Sequence, residues 1–259
     1  MSQIPLLTVP EPEQPPGIDL RCCSVEDLLE SLPNYGSRPV GYSGPFNKES
    51  SRKDWPSLIV ADPPWSYSQA PGHSANPDNH YETVSDAHIV KVLGQAYDKM
   101  DRGRMALWCT WPKLGQWFDA VHAGEFRWRY VSGGSWHKEG GNAGTGYHWL
   151  GKSEPVLLYV KSTGLCTEWG ALRNAYNGPR ARHSEKPVSW MEGWIERWTE
   201  PGDMVLDLYA GMGPVARACA RTGRRYLGAE IDPERYRAAV DLLAMDRARY
   251  QGLSFEALP

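Results

Sequence analysis

This chain of 259 residues has no excess of positive charge, no paired cysteine spacing, no apolar run of membrane-spanning length and no internal repeat. Each absence closes off a class. A net charge of −3 is not that of a general nucleic-acid coat protein, so a polynucleotide partner would have to be met by a local positive surface. Two loop-like regions can supply one: Arg127, Arg129, Lys138 and Lys152 in the first, and Arg173, Arg180, Arg182, His183 and Lys186 in the second. Ordinary solvated charge is the alternative for both. The five cysteines are an odd number; Cys22 and Cys23 are adjacent, and Cys109 and Cys219 sit in apolar runs. They are expected to be reduced and mostly buried, forming neither a disulfide frame nor a metal site. Residues 1–16 are proline-rich and acidic without an export-signal pattern, and are expected to form a flexible arm. Together these features suit a cytoplasmic protein with no membrane partner.

What the chain does have is an alternation of strand-like and helix-like segments. Residues 18–22, 58–61, 105–109, 130–136, 155–160, 204–208 and 225–231 read as strands. Residues 24–32, 88–100, 113–122, 189–199, 214–221 and 233–249 read as helices, with Ser24 as an N-cap and Pro233 in a first turn. Such alternation predicts an α/β fold in one domain, residues 17–259, with a doubly wound, mostly parallel sheet of about seven strands and helices on both faces. Twelve tryptophans are an unusual number. Most belong in the core, while Trp136 and Trp149, in polar, Gly-rich surroundings, are candidates to line a base-binding groove.

The apolar run Leu58-Ile59-Val60-Ala61 leads directly into Asp62-Pro63-Pro64-Trp65. Consecutive prolines form a stiff turn that lacks N–H groups, so its carbonyls can only accept hydrogen bonds. Asp62 adds a second acceptor. An exocyclic amine held by both would be aimed, with its lone pair drawn out of conjugation, and Trp65 offers a face for the ring that carries it. Equally, Pro-Pro can simply end a strand while Trp65 packs in the core.

A second motif bears on that choice. The strand Val205-Leu206-Asp207-Leu208 runs into Tyr209-Ala210-Gly211-Met212-Gly213-Pro214, a glycine turn at the head of a helix. The next strand ends in Glu230 and Asp232, where doubly wound folds hold ribose hydroxyls. The third glycine of a dinucleotide loop and the lysine of a phosphate loop are both missing. That favours a nucleoside ligand without pyrophosphate.

With both motifs in this order, the chain resembles the permuted, beta-type amino-methyltransferases of nucleic acid, which use S-adenosylmethionine and have a Rossmann-like fold. The likeness extends to residues 18–33, to His183-Ser184-Glu185-Lys186-Pro187, and to Asp207, Tyr209, Gly211 and Gly213 of the cofactor loop. In the middle, Trp65, His80-Tyr81-Glu82-Thr83-Val84-Ser85 and Gly146-Tyr147-His148-Trp149 leading into Glu154-Pro155-Val156-Leu157-Leu158 are similar to the Asp-Pro-Pro-Trp subgroup that includes messenger-RNA adenine methyltransferases. The resemblance implies methyl transfer to N6 of adenine, with Asp62, Pro63, Pro64 and Trp65 as the catalytic tetrapeptide. Cofactor contacts would come from Asp207 at the methionine end, Glu230 and Asp232 on the ribose, Lys186 on the cofactor carboxylate or its loop, and Ser24 near the adenine, alongside Tyr209, Gly211 and Gly213. Tyr67, His80, Tyr81, Arg180, Arg182 and His183 are the substrate-side candidates. Residues 68–80, 139–151 and 164–182 are the target-reading loops, and a substrate base would be flipped to reach the site. DNA is the favoured polymer, with short or relaxed sequence preference and a bacterial or phage setting, and a homodimer is a further expectation. N4 of cytosine, RNA adenine and a non-catalytic binding subunit are the alternatives.

Overall fold

The computed structural model describes residues 14–35, 55–67, 82–124, 126–140, 151–161, 173–179 and 185–250. The strands are β1 (Ile18–Cys22), β2 (Pro56–Ala61), β3 (Gly103–Trp108), β4 (Arg129–Glu139), β5 (Ser153–Lys161), β6 (Ala175–Pro179), β7 (Met204–Asp207) and β8 (Arg225–Glu230). They form one sheet in the order β1-β8-β7-β2-β3-β5-β4-β6. All neighbours are parallel except where β5 runs antiparallel to both β3 and β4.

The helices are α1 (Val25–Glu30), α2 (Asp86–Asp98), α3 (Leu114–Ala123), α4 (Val188–Trp198), α5 (Pro214–Thr222) and α6 (Pro233–Tyr250). The first three lie on one face of the sheet, where Leu28, Leu29, Val92, Leu93 and Trp117 pack on Ile59, Leu107 and Leu206. The last three cover the other, where Trp190, Trp194, Ala216, Ala239 and Leu243 meet Leu58, Val60, Ala106 and Val205. Strand residues alternate between the two clusters, as the period of two demands. Because both faces are covered, β2 reads as a continuous apolar run, with every one of its residues buried. Complete burial of a side chain such as Leu58 or Ile59 stabilises the fold by about 1.5–3 kcal/mol.

The expected α/β architecture holds, but with eight strands in place of about seven. The additional strand, β6, falls inside the segment read as a target-reading loop. Its sequence, AYNGP, has no apolar alternation and contains Gly and Pro, which suits only an edge strand. Pairing to β4 and stacking of Tyr176 on Trp190, at 5.5 Å between ring centroids, hold it in place. Residues 14–16 also differ from the expected loose arm. The Gln14 side chain bonds both backbone groups of Leu20, each at 2.8 Å, on the outer edge of β1.

Candidate active site

The two motifs found in the sequence meet at the carboxyl rim of the sheet. Strand β7 is the neighbour of β2, with Asp207 opposite Val60, and Leu208 N–H donates to Val60 O at 3.0 Å. From β7 the chain crosses to β8 on one side; from β2 it crosses to β3 on the other. The crevice between them is the topological switch point, where open α/β sheets bind their ligands. Asp62 stands directly beyond β2 on this rim.

The tetrapeptide is rigidly folded. Trp65 N–H donates to Pro63 O at 2.8 Å, and Val84 N–H donates to Pro64 O at 3.0 Å. Pro63 O keeps one lone pair for another donor. Tyr67 Oη and Thr110 Oγ1 share a hydrogen bond of 2.8 Å, and Lys113 Nζ donates to Ser66 O at 2.8 Å. Trp65 does not present its ring to the rim as expected. It is 4% exposed, its indole N–H donates to Trp108 O at 3.1 Å, and its ring meets Trp117 edge-on at 5.4 Å. A buried indole needs a partner for its N–H, and the carbonyl of β3 supplies one. Among the described residues, Trp111 is an exposed ring beyond β3, 51% exposed, with its N–H tethered to Ser153 Oγ at 2.9 Å.

Lys186 also differs from expectation. Its Nζ lies 2.7 Å from Asp62 Oδ2 and 3.2 Å from Glu154 Oε2, and 5.1 Å from the Trp108 ring centroid. Glu154 in turn pairs with Lys138. The result is an alternating chain, Asp62–Lys186–Glu154–Lys138, in which Lys186 is engaged by carboxylates rather than free to reach a cofactor. Burial raises the Asp62 carboxyl above the usual range, against the pull of Lys186. Burial would also raise Glu154, but two lysines bring it below its ordinary value. Burial alone would lower Lys186; the two carboxylates outweigh this and raise it. The sequence resemblance includes Glu154 but assigns it no role. Its signal was a lone carboxylate entering the otherwise apolar segment Pro155-Val156-Leu157-Leu158.

On the other side of the crevice, Asp207 accepts from Tyr226 Oη at 3.0 Å and from Tyr209 N–H at 3.4 Å. Burial pushes its carboxyl up to about 7. Glu230 accepts from Gly211 N–H at 2.7 Å and Asp232 N–H at 2.9 Å, which braces the glycine turn against β8. Gly211 has φ +55, and the space where its Cβ would stand is open. Gly213, at φ +71, serves packing instead: a Cβ there would lie 3.1 Å from that of Ala239 on α6. The N–H of Gly213 is used by Ala210 O and that of Ala210 by Ala229 O, so the turn is not a cradle of free donors for phosphate. Tyr209 packs against the core and its buried hydroxyl has no partner among the described residues. Asp232 caps α6, accepting from Glu234 N–H at 2.8 Å, and Ser24 caps α1, accepting from Asp27 N–H at 3.1 Å. Both therefore already serve as helix caps. Beside Glu230, Ile231 is 70% exposed, an apolar side chain facing solvent at the rim.

His80, Tyr81, Arg180, Arg182 and His183 lie outside the described residues, as do Trp149 and most of the three proposed target-reading segments. Trp136 is buried, with its N–H on Gly178 O at 3.2 Å, so it lines no groove. The basic regions are also thinned: Lys138 and Lys186 are held internally, Arg127 pairs with Asp98 at 2.7 Å, and Arg129, Lys152 and Arg173 are exposed. Among the described residues, no helix is long and apolar enough to cross a membrane.

Residues 169–241, which hold the glycine turn and Glu230, match the DNA methylase family. YubD of Escherichia coli (strain K12), a protein named as a methylase, is 41% identical over 78 residues, 30% of this chain and 34% of its own length. The chain thus spans between about a fifth and about a third of the length of the curated relatives it matches. Among solved structures, TTHA0409 of Thermus thermophilus, named as a DNA modification methylase and complexed with S-adenosyl-L-methionine, aligns over 88% of this chain and 93% of its own with TM-score 0.61 and 17% identity. The PvuII DNA methyltransferase, cytosine-N4-specific, aligns over 93% of this chain and 96% of its own with TM-score 0.59 and 12% identity. The chain is therefore similar in sequence to the DNA methylases over residues 169–241 and has, across most of its length, the Rossmann-like fold of solved DNA methyltransferases.

Proposed function

We propose that the chain transfers a methyl group from S-adenosylmethionine to the exocyclic N6 amine of adenine in DNA. The observation that carries this reading is the adjacency of Asp62-Pro63-Pro64 and the Asp207–Gly213 turn across the switch point, although the two are remote in sequence. The residues present fit the cofactor. Open space faces Gly211, carboxylates Asp207 and Glu230 suit a cationic ligand with ribose hydroxyls, and exposed Ile231 offers an apolar face to a nucleobase. S-adenosylmethionine would supply an electrophilic methyl group on a sulfonium sulfur. Asp62 and the free lone pair of Pro63 O would each accept one N–H of the target amine. That localises the nitrogen lone pair toward the methyl, so that alignment supplies most of the rate. Asp62 would also accept the proton that the methylated nitrogen releases and pass it to water.

Adenine is favoured by the likeness to the Asp-Pro-Pro-Trp subgroup. N4 of cytosine is the second reading, supported by the similarity to the cytosine-N4-specific structure. Incubation with methyl-labelled cofactor and single-stranded DNA, duplex DNA or RNA, followed by nucleoside analysis, should yield N6-methyladenine from DNA. N4-methylcytosine, or label in RNA alone, would overturn the proposal.

Two further outcomes belong to this reading. With Trp65 buried, Trp111 is the exposed tryptophan among the described residues that could stack on target-strand bases. Trp111→Ala should raise KM for DNA by roughly tenfold to a hundredfold, a loss of about 1–3 kcal/mol of stacking, while Trp111→Phe restores most of it. Equal KM values for the alanine variant and the parent would remove Trp111 from the substrate path. Asp207, with its carboxyl at about 7, should lose its proton when a cationic cofactor binds, because the cation favours the ionised form. Cofactor affinity should then tighten as pH rises from about 6 to 8, by no more than about tenfold per pH step of one. Calorimetry in buffers of different ionisation enthalpy reads the released proton directly; a pH-independent affinity with no proton release refutes the assignment.

A further inference from the structure

Glu185 and Lys186 are consecutive and both buried, yet they serve opposite sides of the crevice. Glu185 Oε1 accepts from Arg217 Nη1 at 2.6 Å. Arg217 stands on α5, the helix that begins directly after the glycine turn, and its Nε donates to Asp246 Oδ2 on α6 at 2.9 Å. Arg221 joins the same carboxylate at 2.7 Å. Lys186 turns the other way, to Asp62 at 2.7 Å and Glu154 at 3.2 Å. Pro187 follows at once as the N-cap of α4 and restricts the backbone of Lys186. A short, stiff segment is thus pinned on one side by an ion pair to the cofactor-turn helix and on the other by an ion pair to the amine clamp.

We propose that Glu185 is a positioning residue for methyl transfer: its pair with Arg217 fixes Lys186, and Lys186 fixes the carboxylate of Asp62. This rests on the reading that Asp62 holds the target amine. The geometry gives Lys186 a choice of two carboxylates, and the placement of its backbone bears on which is favoured. With Glu185 released, Lys186 is free to slide toward Glu154. Asp62 then loses the cation that orients one oxygen and leaves the other for the amine. Because the Glu185 side chain is 4% exposed and that of Lys186 9%, water offers neither of them an easy substitute partner. The ladder also ties the turn that would hold the cofactor to the group that would hold the acceptor, through side chains that touch neither ligand.

The test is Glu185→Gln, which keeps size and one acceptor but removes the charge, studied alone and combined with Lys186→Met. Glu185→Gln should lower kcat between about tenfold and a hundredfold, the scale of a small misplacement at a reacting centre, with KM for DNA and the cofactor Kd within about twofold. In the Lys186→Met background it should lower kcat no further. The titration of the Asp62 carboxyl, followed by ¹³C NMR, should move upward in Glu185→Gln. If loss of one of Arg217's two carboxylate partners prevents folding, the neutral pair Glu185→Gln with Arg217→Met preserves packing, leaves Asp246 to Arg221 and should show the same kcat loss. Unchanged kcat, additive losses in the double variant, or an unmoved Asp62 titration each overturn the proposal. If the wild-type chain methylates no DNA or RNA, the reading of Asp62 fails instead. The NMR titration needs no turnover and still decides whether Glu185 acts on Asp62 through Lys186.

Discussion

Asp62→Ala should lower kcat for methyl transfer by roughly 10² to 10⁴ while leaving the cofactor Kd within about twofold. The side chain removed is the one charged acceptor at the end of β2, opposite the strand that leads into the glycine turn. Nothing in the turn depends on it: Glu230 braces Gly211, and Asp207 is held by Tyr226. Lys186 keeps a carboxylate, because Glu154 remains at 3.2 Å. The fold should therefore survive, which separates lost chemistry from lost structure. Asp62→Asn is the sharper variant. Its amide would turn the oxygen toward Lys186, the nearest cation, and so present N–H₂ to the target amine, a donor against a donor. Asparagine should thus be as inactive as alanine despite its matching shape. Single-turnover methylation with either variant settles the point: a rate within a few-fold of the parent would mean that Asp62 does not hold the amine.

The legible parts of this molecule were those in which chemistry is written in neighbouring residues. Strands β2, β7 and β8 are buried on both faces, so they stand out as short apolar runs, and the motifs at their carboxyl ends follow directly. The side-chain partners were not legible. Trp65 is turned into the core by the Trp108 carbonyl, 43 residues away, and by Trp117, and no local pattern records either. Lys186 finds Asp62 and Glu154 only because β2, β3 and β5 lie side by side. Strand β6 was hidden for the opposite reason: its Gly and Pro are turn signals, overridden by an edge position beside β4 and by the ring of Trp190. Asp232 and Ser24, residue types suited to ligand contacts, also act as helix caps, a use that the sequence signalled only for Ser24.

Lys186→Met should destabilise the fold by about 3 kcal/mol at pH 8, the low end for breaking a buried pair, since Asp62 is partly open to solvent and screened. For a chain of this size that corresponds to a fall in Tm of roughly 6–12 °C. Methionine fills the volume but leaves the Asp62 and Glu154 carboxylates facing each other without the cation between them. The sign with pH follows from the groups involved. In the parent, Glu154 is held below its ordinary 4.5, so its pairing stabilises above that value and is lost as pH falls. In the variant, burial and repulsion from Glu154, which keeps Lys138, hold the Asp62 carboxyl above its unfolded value, so it is tolerated when protonated and becomes costly as pH rises. Both effects run the same way, and the deficit should be small near pH 4 and largest above about pH 7. Thermal melts of the two proteins across that range provide the measurement; a deficit independent of pH would show that Lys186 acts by packing against Trp108 and not by charge. Turnover should fall with the loss of order at Asp62, whereas cofactor affinity should hold, because Lys186 is spent on carboxylates within the fold. A large loss of cofactor affinity would return Lys186 to the cofactor contact that the sequence resemblance implied.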